Sequence, residues 1–177
     1  VGFRGFHYSR RAVPEKTNAA RILDRLKVPY ELRGYTVDLD DLSAETVAKK
    51  VGLPEAQVLK TLLVRGERLG PHFAVVPAGT SLDLKACAKA IGDKKVAPVP
   101  LKEVEPLTGY VRGGVTVLGA KKAFPVVVDA SALAHEIVSV SAGVRGTQIF
   151  VSPKAYVAAA KAKVAPIATR DEAAPEG

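Results

Sequence analysis

The chain has no methionine and no tryptophan, and only one cysteine and three histidines among its 177 residues. One thiol, Cys87, cannot form an internal disulfide, so a disulfide scaffold is excluded and a reducing compartment is expected. No apolar run approaches the ~20 residues that span a bilayer. Residues 1–11 lack the apolar centre of a secretory signal. The expectation is a cytoplasmic protein with no membrane partner. His7, His72 and His135 stand at no ligand spacing from one another or from Cys87, which argues against a zinc site and a Cys–His nucleophile. No nucleophile elbow, phosphate-binding lysine loop or dinucleotide fingerprint is present. No metal and no cofactor is therefore expected.

What remains is ordinary for a globular protein, with 47% hydrophobic and 25% charged residues. The length suits one domain able to bury a packed core. The charge is less ordinary: +8 with a pI near 9.6, a balance that favours polyanions such as RNA. Residues 1–13 read as a basic arm in which Arg4, His7, Arg10 and Arg11 alternate with Phe3, Phe6 and Tyr8. Such an arm can stack on bases and meet phosphates, although a frayed terminus is the simpler expectation. Residues 14–165 read as the domain and 166–177 as a flexible polar tail.

Within the domain the pattern mixes helices and strands without strict alternation, which points to an α+β or mixed-sheet fold. Thr17 caps a helix carrying Ala19, Ile22, Leu23 and Leu26, and Pro29 ends it. A strand follows at 30–35. Ser43 caps a second helix that Gly52 closes. A helical turn at 54–57 leads to a buried strand at 58–64, and another strand lies at 73–76 between Pro71 and Pro77. Thr80 or Ser81 is expected to cap a helix over 82–91, and 101–107 reads as a short helix. Residues 108–122 are expected to form a glycine-rich functional loop with strand ends. Strands follow at 126–129, 137–140 and 148–151, then a last helix from Pro153 to Lys163.

Three places stand out chemically. Lys60 sits in the apolar run Val58–Val64, so its ammonium must either reach solvent along its stem or meet an anion or carbonyl in a cleft. The segment Gly109–Gly119 contains Gly113, Gly114 and the hydroxyl of Thr116, a backbone that can approach a ligand closely. Arg112 lies inside it, and Lys121 and Lys122 follow. The small turn Ser141-Ala142-Gly143 runs on to the basic Arg145.

These segments in this order resemble the YbaK family, free-standing relatives of the editing domain inserted in bacterial prolyl-tRNA synthetases. The resemblance rests on KTNAARILDRLKVPYELRGY (16–35), LSAETVAKKVGLPEAQVLKTLLV (42–64) and LDLKACAKAIGDKKV (82–96). It continues through TGYVRGGVTVLGAKK (108–122) and VSAGVRGTQIFV (140–151). It implies a single compact α/β domain with a mixed, curved sheet flanked by helices. It also implies an aminoacyl-tRNA deacylase, chiefly for cysteine on proline tRNA, with alanine or serine as alternative targets. A rival of a different class is a non-catalytic module that binds tRNA or a synthetase.

By the same resemblance Lys60 is the central residue, holding the terminal phosphate or the ester carbonyl. Gly113, Gly114 and Thr116 would face the ester. Tyr35, Ser141, Ala142 and Gly143 would line the amino-acid pocket. Arg112, Lys121, Lys122 and Arg145 would meet the tRNA backbone. The implied partners are mischarged proline tRNA and prolyl-tRNA synthetase, with no DNA. The chemistry would be substrate-assisted, through either the cysteine thiol or the terminal ribose hydroxyl. Thr61 follows the lysine where the alanine-specific branch carries asparagine. The chain departs from its relatives at Thr116-Val117, where most carry Ser-Pro, and at Gln148, where some carry Asp.

Overall fold

The structure is a computed structural model that describes residues 14–170; the basic arm and residues 171–177 lie outside the described residues. The elements run α1 (Asn18–Arg25), β1 (Tyr30–Gly34), α2 (Ala44–Val51), β2 (Leu59–Gly66), β3 (Gly70–Pro77), β4 (Thr80–Leu82), α3 (Leu84–Ile91), β5 (Val96–Pro98), α4 (Leu101–Thr108), β6 (Val126–Asp129), β7 (Val138–Ser141), β8 (Thr147–Val151), α5 (Pro153–Ala160), β9 (Lys163–Ala165) and β10 (Ala168–Arg170). Short 3₁₀ turns occupy Glu55–Gln57 and Ala130–Ala134. Among the described residues no helix is long and apolar enough to cross a membrane.

The strands form three sheets. The largest is mixed, in the order β5-β2-β3-β6-β9; β2 is antiparallel to both neighbours, while β6 is parallel to β3 and to β9. A second, antiparallel sheet runs β1-β8-β7. A parallel bridge between Val58 and Ser139 joins it to the start of β2. The third is the antiparallel pair β4–β10.

Alternation along the large sheet fills two cores. Leu59, Leu63, Phe73, Val75, Val126 and Val128 pack with Leu23, Ile149 and Tyr156 on one side. Val64, Ala74, Val76 and Val127 pack with Cys87, Ala88 and Ile167 on the other. Burying side chains of this size stabilises by roughly 1.5–3 kcal/mol each. Cys87 is one of these core residues, and burial raises its thiol pKa, so it behaves as an inert hydrophobe.

Local signals explain most boundaries. The Thr17 and Ser43 hydroxyls accept from Ala20 N and Thr46 N at 3.3 Å, and Gly52 ends α2 with φ +76°. Four expectations change. The cap of α3 is Asp83, which accepts from Ala86 N at 3.0 Å, because Thr80–Leu82 is a strand paired with β10. Residues 109–122 contain no strand. The last helix stops at Ala160, where Lys161 turns left-handed (φ 51°). The ordered chain also continues past residue 165, since Ile167 is buried and Ala168–Arg170 pair with β4.

Candidate functional site

A cavity of about 670 Å³ runs along one edge of β2, which contributes Leu59, Lys60, Thr61, Leu62, Leu63 and Val64 to its wall. That size is typical of a small-ligand site. At the end where Val58 bridges Ser139, the wall includes Ser141 of β7 and Gln148 of β8. At the end where Pro98 pairs with Val64, it includes Pro98, Val99, and Leu101 and Val104 of α4. The wall also includes Ser43, the cap of α2, and Glu45 in its first turn, Ser81 and Leu82 of β4, and Arg112, Gly113 and Val115 of the glycine loop.

The edge itself leaves backbone groups open. Leu63 O accepts from Val99 N at 3.0 Å, and Phe73 N donates to Pro125 O at 2.8 Å. The Leu63–Phe73 pair is therefore non-hydrogen-bonded within the β2–β3 ladder. The two-residue period gives Thr61 the same orientation, with its N–H and C=O pointing away from β3. β5 pairs only with Val64–Gly66. The backbone of Thr61 thus presents a donor and an acceptor to the cavity. A sequence signal was available. Pro71 and Pro77 of β3 stand opposite Arg65 and Leu59, and a proline cannot donate to the ladder.

Lys60 is half-buried, and its Nζ donates to Thr80 O at 2.6 Å. Of the two fates that the sequence allows a lysine here, it takes the carbonyl in a cleft. The turn that supplies this carbonyl is tied twice. Thr80 Oγ1 donates to Pro77 O at 2.6 Å, and Gly79 N donates to Glu45 Oε1 at 2.8 Å.

The two glycine-bearing segments pack on each other. Gly113 (φ +86°) lines the cavity, whereas Gly114 is buried, with Val144 Cα only 3.3 Å from where a Cβ would stand. Gly114 N donates to Val111 O at 2.9 Å, so its amide closes the turn instead of facing the cavity. Arg145 Nε donates to Arg112 O at 2.8 Å, joining the segments at the cavity mouth. Tyr110 Oη donates to Leu118 O at 2.7 Å, and burial raises the phenol pKa, keeping it a donor.

Of the residues singled out from sequence, Lys60, Arg112, Gly113 and Ser141 line this cavity. Thr116 is fully buried and its hydroxyl accepts from Leu118 N at 3.3 Å, so it shapes the loop from inside. Tyr35 packs on the cluster around Val47, Val58 and Phe150. Ala142 is a core residue. Gly143 (φ +95°) abuts the Tyr110 ring, and its N donates to Ser141 Oγ at 3.1 Å. Arg145, Lys121 and Lys122 are exposed outside the wall. Glu45, the edge at Thr61 and the apolar wall were not found from sequence. Gln148, noted only as a departure, is buried and accepts from Ser139 Oγ at 2.8 Å. Among the described residues no group of three His, Cys, Asp or Glu is placed to hold a metal.

The start of α2, which delivers Ser43 and Glu45, is braced by Asp41. Its carboxylate accepts from Ser43 N at 3.1 Å and Thr46 Oγ1 at 2.5 Å. These bonds, the one from Thr46 foremost, lower its pKa to about 2. A depressed folded pKa stabilises fully above the ordinary value near ~4, and the contribution fades as pH falls through the folded value. An NMR titration of Asp41 should show a midpoint near 2, and Thr46→Val should move it up toward the usual carboxylate range. An unchanged midpoint in Thr46→Val would contradict this bracing.

The aminoacyl-tRNA editing domain model matches residues 41–159. The chain is 40% identical over 163 residues to an Enterococcus faecalis protein named as a candidate Cys-tRNA(Pro)/Cys-tRNA(Cys) deacylase, EbsC; the match covers 92% of this chain and 99% of that one. Among solved structures, a candidate trans-editing enzyme for prolyl-tRNA synthetase aligns with TM-score 0.74 at 24% identity, covering 88% of this chain and 99% of its own. The hypothetical protein APE2540 aligns with TM-score 0.79 at 24% identity, covering 86% of this chain and 100% of its own. These two likenesses establish a shared fold.

Proposed function

The chain belongs to the aminoacyl-tRNA editing domain family, and on that premise we propose that it is a free-standing deacylase that clears mischarged tRNA, foremost cysteine attached to proline tRNA. The observation that carries the reading is Lys60, a cation half-buried in a largely apolar cavity and bonded there to the Thr80 carbonyl. An ammonium so placed stabilises the negative charge that develops on an ester oxygen, and low surrounding polarity strengthens the effect.

The cavity supports substrate-assisted cleavage. Among the described residues no histidine or cysteine lines it, so the reading rests on groups other than an imidazole or thiol base. The protein's part is to position and polarise. Thr61 C=O can accept from the substrate's α-ammonium, and Lys60 faces the ester. The reacting group is then the substrate's own. When the cysteine thiol attacks, a C–S bond forms, the C–O bond to ribose breaks and the thiol proton ends on the released hydroxyl, leaving a cyclic thioester. When the ribose hydroxyl activates water instead, free cysteine is released. Product analysis separates the two.

Arg112 lines the cavity and Arg145 bonds to its carbonyl; with exposed Lys121 and Lys122 they are the cations that the terminal phosphates of tRNA would meet. Removing one cation that meets a phosphate should reduce the salt slope of binding by about 0.7–0.9. Arg112→Ala and Arg145→Ala are expected to weaken binding of cysteinyl-tRNA(Pro) and flatten its dependence on salt. An unchanged slope in both would remove these residues from the tRNA path. A synthetase that delivers the tRNA is the natural protein partner, and the cytoplasm, where tRNA is charged, the natural location.

The deacylase function is tested by discharge of cysteinyl-, alanyl- and seryl-tRNA(Pro). Cysteine should leave fastest, since only it offers a thiol. Preferential loss of alanine or serine would move the substrate within the enzyme class. Loss of none would favour a binding module.

A further inference from the structure

We propose that Glu45 is a positioning residue that sets the place of the Lys60 ammonium through the turn joining β3 to β4; this rests on, and deepens, the reading of Lys60 as the residue that stabilises the reacting ester. The connection is short. Glu45 Oε1 accepts from Gly79 N at 2.8 Å, and Lys60 Nζ donates to the next residue's carbonyl, Thr80 O, at 2.6 Å. The turn is a two-residue connection, Ala78-Gly79, whose glycine is left-handed at φ +76°. An external anchor on that glycine amide therefore restrains the turn that delivers the Thr80 carbonyl, together with the Thr80 Oγ1 bond to Pro77 O and the pairing of Thr80 with Arg170.

Two features make a carboxylate suited to this work. Glu45 lies in the first turn of α2, where the helix dipole favours a negative charge. It also bonds a backbone N–H as a charged acceptor, and such bonds are shorter and stronger than neutral ones. The carboxylate lines the same cavity as Lys60, and its bond to Gly79 N ties it to the turn. Glu45 thereby couples α2, which frames one wall, to β2, which carries the cation.

The geometry requires first of all an acceptor at this position; the charge strengthens the bond but is not its source. Glu45→Gln keeps an oxygen that can accept from Gly79, and Glu45→Ala does not. Two readouts on the full chain test the claim. The first is independent of turnover: acylation of lysines by acetic anhydride, followed residue by residue by mass spectrometry. Glu45→Ala should raise the reactivity of Lys60 about 3–10-fold relative to exposed Lys85 and Lys89 as the carbonyl shifts away, and Glu45→Gln, with its weaker neutral acceptor, should stay within about twofold of wild type. No change at Lys60 in the alanine variant overturns the proposal.

The second readout is a double-mutant cycle in cysteinyl-tRNA(Pro) discharge. Glu45→Ala should lower kcat about tenfold with KM nearly unchanged, Glu45→Gln should restore it to within about threefold, and the alanine change should do little once Lys60 is already alanine. A full additional loss in the Lys60→Ala background overturns the coupling, as does failure of glutamine to restore, which would assign Glu45 a charge role toward the substrate's ammonium. If the wild type discharges no ester while Lys60 reactivity responds as described, the positioning stands and the deacylase reading falls.

Discussion

Lys60→Ala should lower kcat for discharge of cysteinyl-tRNA(Pro) by about 10²–10³-fold, the range found when one preorganised donor to a developing oxyanion is removed. The loss should fall on kcat more than on KM if, as proposed, binding of the tRNA rests on backbone phosphates outside the cavity and Lys60 acts on charge that grows in the transition state. Arginine should not restore activity. Its planar, longer fork cannot occupy the point from which Nζ meets Thr80 O at 2.6 Å. Folding should survive, since Lys60 is only half-buried and its ladder position on β2 depends on the backbone. Steady-state kinetics with a melting curve for each variant check this. Activity within a few-fold of wild type in a folded Lys60→Ala protein would remove Lys60 from the chemistry.

Asp129→Ala should produce the largest loss of stability. Asp129 is buried at the end of β6, and one carboxylate oxygen accepts from both Ile167 N at 2.8 Å and Ala168 N at 3.0 Å. The other accepts from Ser131 N and from Ser131 Oγ. Alanine leaves these donors without their acceptor; the Ile167 amide is buried and such an orphan costs about 1–3 kcal/mol, and the part-buried Ala168 and Ser131 donors add less. It also releases the stretch that places Ile167 in the second core and β10 beside β4. A total near 3 kcal/mol corresponds to a fall in Tm of about 6–12 °C for a domain of this size. Asp129→Asn keeps one acceptor oxygen and should lie between. Thermal unfolding followed by circular dichroism decides. A shift under about 2 °C for alanine would mean that water or a relaxed backbone replaces the carboxylate at little cost.

The sequence was most legible where structure is set locally. Thr17, Ser43, Gly52 and Pro153 mark helix ends because a side-chain oxygen, a left-handed residue or a missing N–H acts within a few residues. It was least legible where a distant strand decides. Thr80 and Ser81 have the chemistry of caps, yet β10 pairs with them and the cap passes to Asp83. The segment after Ala160 reads as more helix and then tail, and becomes two short strands because β6 and β4 offer open edges.

The site divides the same way. A lysine amid apolar residues shows a tension that the sequence alone exposes, so Lys60 could be found. Glycine pairs mark close backbone approach, and Gly113 and Gly114 do pack against the 141–146 turn. The direction of a hydroxyl is not encoded locally, so Thr116 looked like a site group although it faces its own loop. Glu45 escaped notice because an acidic residue in the first turn of a helix already has a sufficient local explanation. The bare edge at Thr61 depends on where β5 ends, which no local pattern states.

The proposed function turns on the fate of one ester bond. The most direct measurement is a single-turnover comparison of cysteinyl-tRNA(Pro) and prolyl-tRNA(Pro), each incubated with excess protein and with buffer alone. Cysteine should be released many times faster than in buffer while proline stays attached. Release of cysteine at the buffer rate, or discharge of both esters alike, would contradict a cysteine-clearing deacylase.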